Sequence, residues 1–181
     1  EYQKRSIGLR KTVLLFVASP VKGYRLIGYE NRMMAAKDFN DDTKDAGELG
    51  AGHSVTALYE IIPADSDEEV NTKTETRYFK TQQTTTPSDE FMQIKFRYKK
   101  PKESKSILIT HIVEKASTKL SKNFYWSASI AEFGLVLRDS KFKGTSSFDS
   151  AYKNGKKGLN NDKNGYRFEF LGLIKKAESI K

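Results

Sequence analysis

The spacing of apolar residues changes once along this chain, near Ser121, and that change limits the fold more than any single residue does. Before it, apolar side chains recur every second residue, the period of strands. After it they recur every three or four, the period of helices. Val13, Leu15 and Val17 alternate with Leu14, Phe16 and Ala18, which predicts a strand covered on both faces. Ser19-Pro20 breaks that run, and Lys22-Gly23 turns the chain into a second strand over residues 24–29. Val55, Ala57, Tyr59 and Ile61 predict a third, ending at Pro63. Residues 64–90 are poor in apolar side chains and predict a long loop, with a short edge strand around residues 77–80. In the next run Met92, Ile94, Phe96 and Tyr98 face one way, and Gln93, Lys95, Arg97 and Lys99 the other. One face is expected in the core and the other in water. Lys100-Pro101-Lys102 then returns the chain through residues 107–113 as a hairpin.

Past Ser121, Phe124, Ala128, Ala131 and Leu135 stack at helical spacing while Trp126, Ile130, Phe133 and Leu137 fill a neighbouring face. A helix apolar on most sides is expected to be buried. A shorter helix over residues 147–159 carries Phe148, Tyr152 and Leu159, weakened by Gly155 and Gly158. A third follows Asp162, with Tyr166, Phe170, Leu173 and Ala177 on one face and Lys175 and Lys176 near its C-terminus. Strands followed by helices imply an α+β fold: an antiparallel β-sandwich-like body over residues 1–118, then a C-terminal unit of about three helices over 119–181.

With 181 residues, 37% of them apolar, the chain can bury an ordinary core, and eleven Phe with nine Tyr argue against disorder. The absence of cysteine excludes a disulfide framework and a thiolate metal site. The longest apolar run, residues 13–18, falls far short of the roughly 18 residues that span a bilayer. Arg5, Arg10 and Lys11 before it imitate a secretory signal, but no small-x-small cleavage site follows, so a buried strand is the better reading. The chain opens on Glu1 rather than Met, and is expected to be a fragment of a longer protein. Net charge is +9, divided unevenly: 12 Lys/Arg and 15 Asp/Glu in residues 1–90, against 20 and 8 in residues 91–181. The basic half suits either an anionic polymer or surface, bound by counterion release, or a surface facing the acidic half.

Few constellations carry chemistry. Residues 47–54 read GELGAGHS, which matches a phosphate loop except that His53 stands where the lysine should neutralise phosphate. Acidic residues precede it and strand alternation follows, so a Gly-rich turn is the better reading. Asp38, Asn40, Asp42 and Asp45 form an oxygen-rich bend, a candidate irregular calcium site, although an EF-hand starting at Asp38 would need Gly at Thr43 and Glu at Leu49. Asn160-x-Asp162-x-Asn164-Gly165 is a weaker candidate whose alternative is a helix cap. His53 and His111 are the two imidazoles, and neither sits in a nucleophile motif. KFRYKKPKESK interleaves basic and aromatic residues, yet strand geometry sends Phe96 and Tyr98 inward and the cations outward, which argues against base stacking.

YRLIGYENR at 24–32, DFNDDTKDAGELGAGH at 38–53, TALYEI at 56–61, FGLVLRDSKFKG at 133–144 and NGYRFEFLGLIKKA at 164–177 together resemble the YfbK-like family. In that family such a region follows a von Willebrand factor type A domain in bacterial, envelope-associated proteins. The resemblance runs over roughly residues 16–177, apart from 64–90. It implies a non-catalytic accessory or protein-interaction domain with no cofactor. Its partner would be another protein or the adjoining type A domain, in the cell envelope, the periplasm or outside the cell. The metal-site signature of type A domains, D-x-S-x-S, is absent from these residues, so metal-dependent adhesion does not transfer to them.

Overall fold

The computed structural model describes residues 6–7, 12–15, 21–28, 36–44, 49–50, 52–67, 78–80, 92–100, 103–114 and 118–181. Two compact units divide between Ala116 and Ser117. The first holds eight short strands: β1 (Ser6–Ile7), β2 (Thr12–Leu15), β3 (Val21–Ile27), β4 (Leu49–Gly50), β5 (Leu58–Pro63), β6 (Tyr78–Lys80), β7 (Met92–Tyr98) and β8 (Ile107–Val113). The second holds α1 (Lys122–Leu137), α2 (Phe148–Lys157) and α3 (Tyr166–Ile180). The fold is α+β, as the change of period predicts.

Every described strand pair is antiparallel, and the pairs form three small sheets ordered β1-β4, β2-β7-β8 and β5-β3-β6. Among the described residues the strands thus form two- and three-stranded pieces, a looser arrangement than a regular sandwich. Val21 is fully buried and gathers Tyr24, Tyr59, Ile61, Met92 and Ile94, which brings β3, β5 and β7 around one cluster. Burial pushes the phenols of Tyr24 and Tyr59 up from their ordinary values. Arg25, only 2% exposed, is directly opposite Glu60 in the β3–β5 register and donates through Nε to the carboxylate at 2.9 Å. A buried guanidinium without that partner would be costly.

The third strand begins at Leu58, three residues later than the alternation from Val55 predicts. The described pairing ends there: Ile27 is opposite Leu58, and Gly28 follows with φ +77, in the left-handed region. Residues 53–57 pair with no described strand and are exposed. The 77–80 expectation corresponds to β6, and the predicted hairpin forms with Met92 opposite Val113 and Tyr98 opposite Ile107.

Each helix starts where its first amides find acceptors. Ser121 Oγ accepts from Phe124 N at 3.1 Å, and Ser147 and Ser150 form a reciprocal capping box at α2. At α3 the Asp162 carboxylate accepts from both Arg167 N and Phe168 N at 3.0 Å. Ala151, Leu171 and Ile174 are the buried centre, surrounded by Phe133, Phe148, Tyr152, Leu159 and Phe170. Trp126 and Phe133 meet Phe170 edge-on, with centroids 5.2 and 5.4 Å away. Gly155 and Gly158 are what let α2 approach this closely. A Cβ at Gly155 would stand 2.6 Å from Leu171 Cδ2, and one at Gly158 would stand 2.6 Å from the Trp126 backbone nitrogen.

Two helix faces differ from expectation. Only Ser129, Leu135 and Val136 of α1 are buried, so that helix is not enclosed all round. In α3 the inward face is Arg167, Phe170, Leu171, Ile174 and Ala177, so the predicted Tyr166–Phe170–Leu173–Ala177 stripe contributes Phe170 and Ala177 while Tyr166 and Leu173 stay exposed. Apolar count sets how much of a helix could be buried, whereas the neighbours set which side is.

Candidate interaction surfaces

The acidic bend carries the four residues expected as calcium ligands, and cations already use two of them. A short 3₁₀ turn (Ala36–Asn40) opens it. Asn40 Oδ1 accepts from Arg97 Nη2 at 3.1 Å. The Asp42 carboxylate accepts from Ser106 N at 3.3 Å, and the Asp42 carbonyl accepts from Lys99 Nζ at 2.6 Å. Arg97 also donates through Nη1 to Ser106 Oγ at 3.0 Å and stacks 5.3 Å over the buried Phe39 ring. Asp41 turns back to accept from Thr43 N and Oγ1, an Asx turn. Asp38 contributes its carbonyl to Asp41 N at 3.2 Å, and Asp45 lies outside the described residues.

Hydrogen bonding from Ser106, with Lys99 and Arg97 beside it, holds the Asp42 carboxyl below its usual range. Such a cluster clasps the bend to the β7–β8 hairpin. It also corrects the expectation that Arg97 of β7 and Lys99 just beyond it reach water: Lys99 is only 8% exposed, and the Arg97 Nε is buried without an acceptor. The sequence signal was the complementary charge of residues 38–48 and 95–105. Among the described residues no three His, Asp or Glu side chains gather in a metal-binding group.

The other motifs fall to separate places. His53 and Ser54 are exposed on an irregular stretch that leads into β5, so no helix opens after the Gly-rich turn as a phosphate loop requires. Gly52, at φ +79, is the left-handed residue that turn needed. His111 is exposed on β8 opposite Ile94. Asp162, from the second candidate loop, is spent on capping α3.

What sequence reasoning missed is a surface of the helical unit. α1 and α3 run parallel, tied at one end by Arg167 Nη2 donating to Asn123 Oδ1 at 3.0 Å and at the other by Lys181 Nζ donating to the Val136 carbonyl at 2.8 Å. Outside their shared seam, Ile130 and Leu137 of α1 and Tyr166, Leu173 and Ile180 of α3 are exposed, Tyr166 to 68% and Ile180 to 75%. Tyr166, Leu173 and Ile180 recur every seventh residue and so share one side of α3. The unit is also strongly basic. Residues 117–181 hold 13 Lys/Arg and 6 Asp/Glu, a net +7. Lys153 pairs with Asp149 at 2.7 Å and Lys175 with Glu178 at 2.8 Å, while Lys156 and Lys175 both approach the Tyr152 ring. Among the described residues no helix is long and apolar enough to cross a membrane.

Comparison with known proteins gives one family. The family model described as "Uncharacterized protein YfbK, C-terminal" matches residues 11–180. The "Uncharacterized protein YfbK" of Escherichia coli (strain K12) is 28% identical over 173 residues, covering 94% of this chain and 29% of that protein. The chain thus spans less than a third of the length of the curated relative it matches. No solved structure matches it.

Proposed function

The chain belongs to the YfbK C-terminal family, and from that premise we propose that it is a non-catalytic accessory module that binds protein through the outer face of α1 and α3. The observation that carries this reading is the exposed set Ile130 and Leu137 on α1 with Tyr166, Leu173 and Ile180 on α3, large apolar side chains left in water of the kind that mark protein contacts when they gather. The partner proposed is the remainder of the longer family protein, a type A domain by resemblance, and the setting proposed is the bacterial cell envelope. The test supplies that remainder as a separate polypeptide and measures its binding to this chain by calorimetry. Binding that Leu173→Glu with Ile180→Glu weakens about tenfold or more supports the reading; no binding, or binding indifferent to both, ends it.

A second reading rests on the +7 charge of residues 117–181, which suits an anionic polymer or surface. Retention on heparin that falls steeply with salt would favour it over the protein-binding module.

A further inference from the structure

β8 is an unguarded edge strand. It ends its sheet, with β7 on one side and no described strand on the other. Leu108, Ile109 and Ile112 are 44%, 49% and 43% exposed, so the strand is open on both faces as well as along its edge. Ile112 and Leu108 stand with Gln93 and Arg97 on one face, and Ile109 stands with Phe96 on the other. ILITHIV contains no Asp, Glu, Lys or Arg, no Pro and no Gly. Free edges usually carry such residues, because an unprotected edge templates another strand. β5, which ends the other three-stranded sheet, carries Glu60 and finishes on Pro63.

We infer that β8 pairs with β8 of a second copy of this chain, antiparallel about a two-fold axis at Thr110, joining two three-stranded sheets into one of six strands. An axis normal to the sheet keeps inner face with inner face, so residues that pair must be an even number apart. Centring on Thr110 is the register that overlaps all seven residues. It sets Ile107 opposite Val113, Leu108 opposite Ile112, Ile109 opposite His111 and Thr110 opposite itself. Ile107 with Val113 on one face and Leu108 with Ile112 on the other join apolar to apolar, Ile109 meets the His111 imidazole, the threonines meet as a favourable pair, and no like charges confront each other. Glu114 falls opposite Ser106. A second copy is the occupant because two of the three positions either side of Thr110 carry branched apolar residues on both arms, Leu108 with Ile112 and Ile107 with Val113, a symmetry that a foreign strand does not require. The paired strands are short, so the association is weak, in the micromolar range.

The test uses the absence of cysteine. Thr110→Cys places the chain's one thiol where two copies face each other, and mild oxidation should produce a species of twice the 20.6 kDa chain mass. Leu108→Cys faces Ile112 instead and should link about tenfold more slowly. Sedimentation equilibrium of the unaltered chain, from about 1 to about 500 µM, should show a monomer–dimer equilibrium. Ile109→Lys and Leu108→Lys, on opposite faces, should each raise its dissociation constant about tenfold or more, with circular dichroism confirming the fold so that one failure leaves the other variant informative. A chain that stays monomeric throughout, equal linking by the two cysteine variants, or a dimer indifferent to both lysines overturns the pairing.

Discussion

Two glycines of the helical unit make opposite predictions from the same substitution. Gly158→Ala would drive a methyl into the Trp126 backbone, whose nitrogen and Cα lie 2.6 and 2.8 Å from where that methyl would sit, and backbone cannot step aside as a side-chain tip can. A loss of about 1–3 kcal/mol is expected in urea unfolding. Gly134→Ala meets nothing within 4 Å inside α1 and should gain about 0.5–1 kcal/mol in the same measurement. Asp42 gives a prediction in pH. Its carboxyl is held below the usual range, so its contribution is complete above the unfolded-state value and disappears as pH falls through the folded-state value. The stability difference between the unaltered chain and Asp42→Asn should therefore shrink on acidification and vanish at the acid end; a constant difference would mean that Ser106, Lys99 and Arg97 do not sense the charge.

Element starts are legible in the sequence because capping chemistry is local. Ser121, Ser147 and Asp162 all precede the helices they serve, and the bond from each can be anticipated from its position. Ser147→Ala should cost about 1 kcal/mol, read as a lower midpoint in thermal unfolding. Faces are less legible. The Tyr166–Leu173 stripe has good helical spacing, yet α3 buries Leu171 and Ile174 because α2 offers Gly155 and Ala151 on that side. Spacing cannot report which neighbour is thin enough to approach. The strand β7 differs from expectation in the same way: its alternation is correct, but its outward cations find the bend of residues 38–44 instead of solvent. Counting the carboxylates of that bend does not reveal the cations that fold onto it.

For the molecule as a whole, the charge asymmetry of the sequence is sharper across the midpoint of the chain than across the division at residue 116. Residues 1–116 carry 19 Lys/Arg and 17 Asp/Glu, a net +2, which leaves +7 for the shorter helical unit. That unit has its own buried centre and its own caps at all three helices. Residues 117–181 expressed alone should keep a helical far-UV spectrum and melt cooperatively; a featureless melt would show that their packing needs residues 1–116. The α+β class follows from the order of periods alone, whereas the candidate surfaces do not, since exposure of an apolar residue is a property of assembled neighbours.

Lys99 gives a chemical handle on the strand unit. Among the described residues it is the one buried lysine, its ammonium donating to the Asp42 carbonyl, while the next residue, Lys100, stands in water. An acylating reagent should modify Lys100 promptly and spare Lys99 until the acidic segment lifts away. The ratio of the two adducts in a mass spectrum would then serve as a clock for that opening, readable without unfolding the protein.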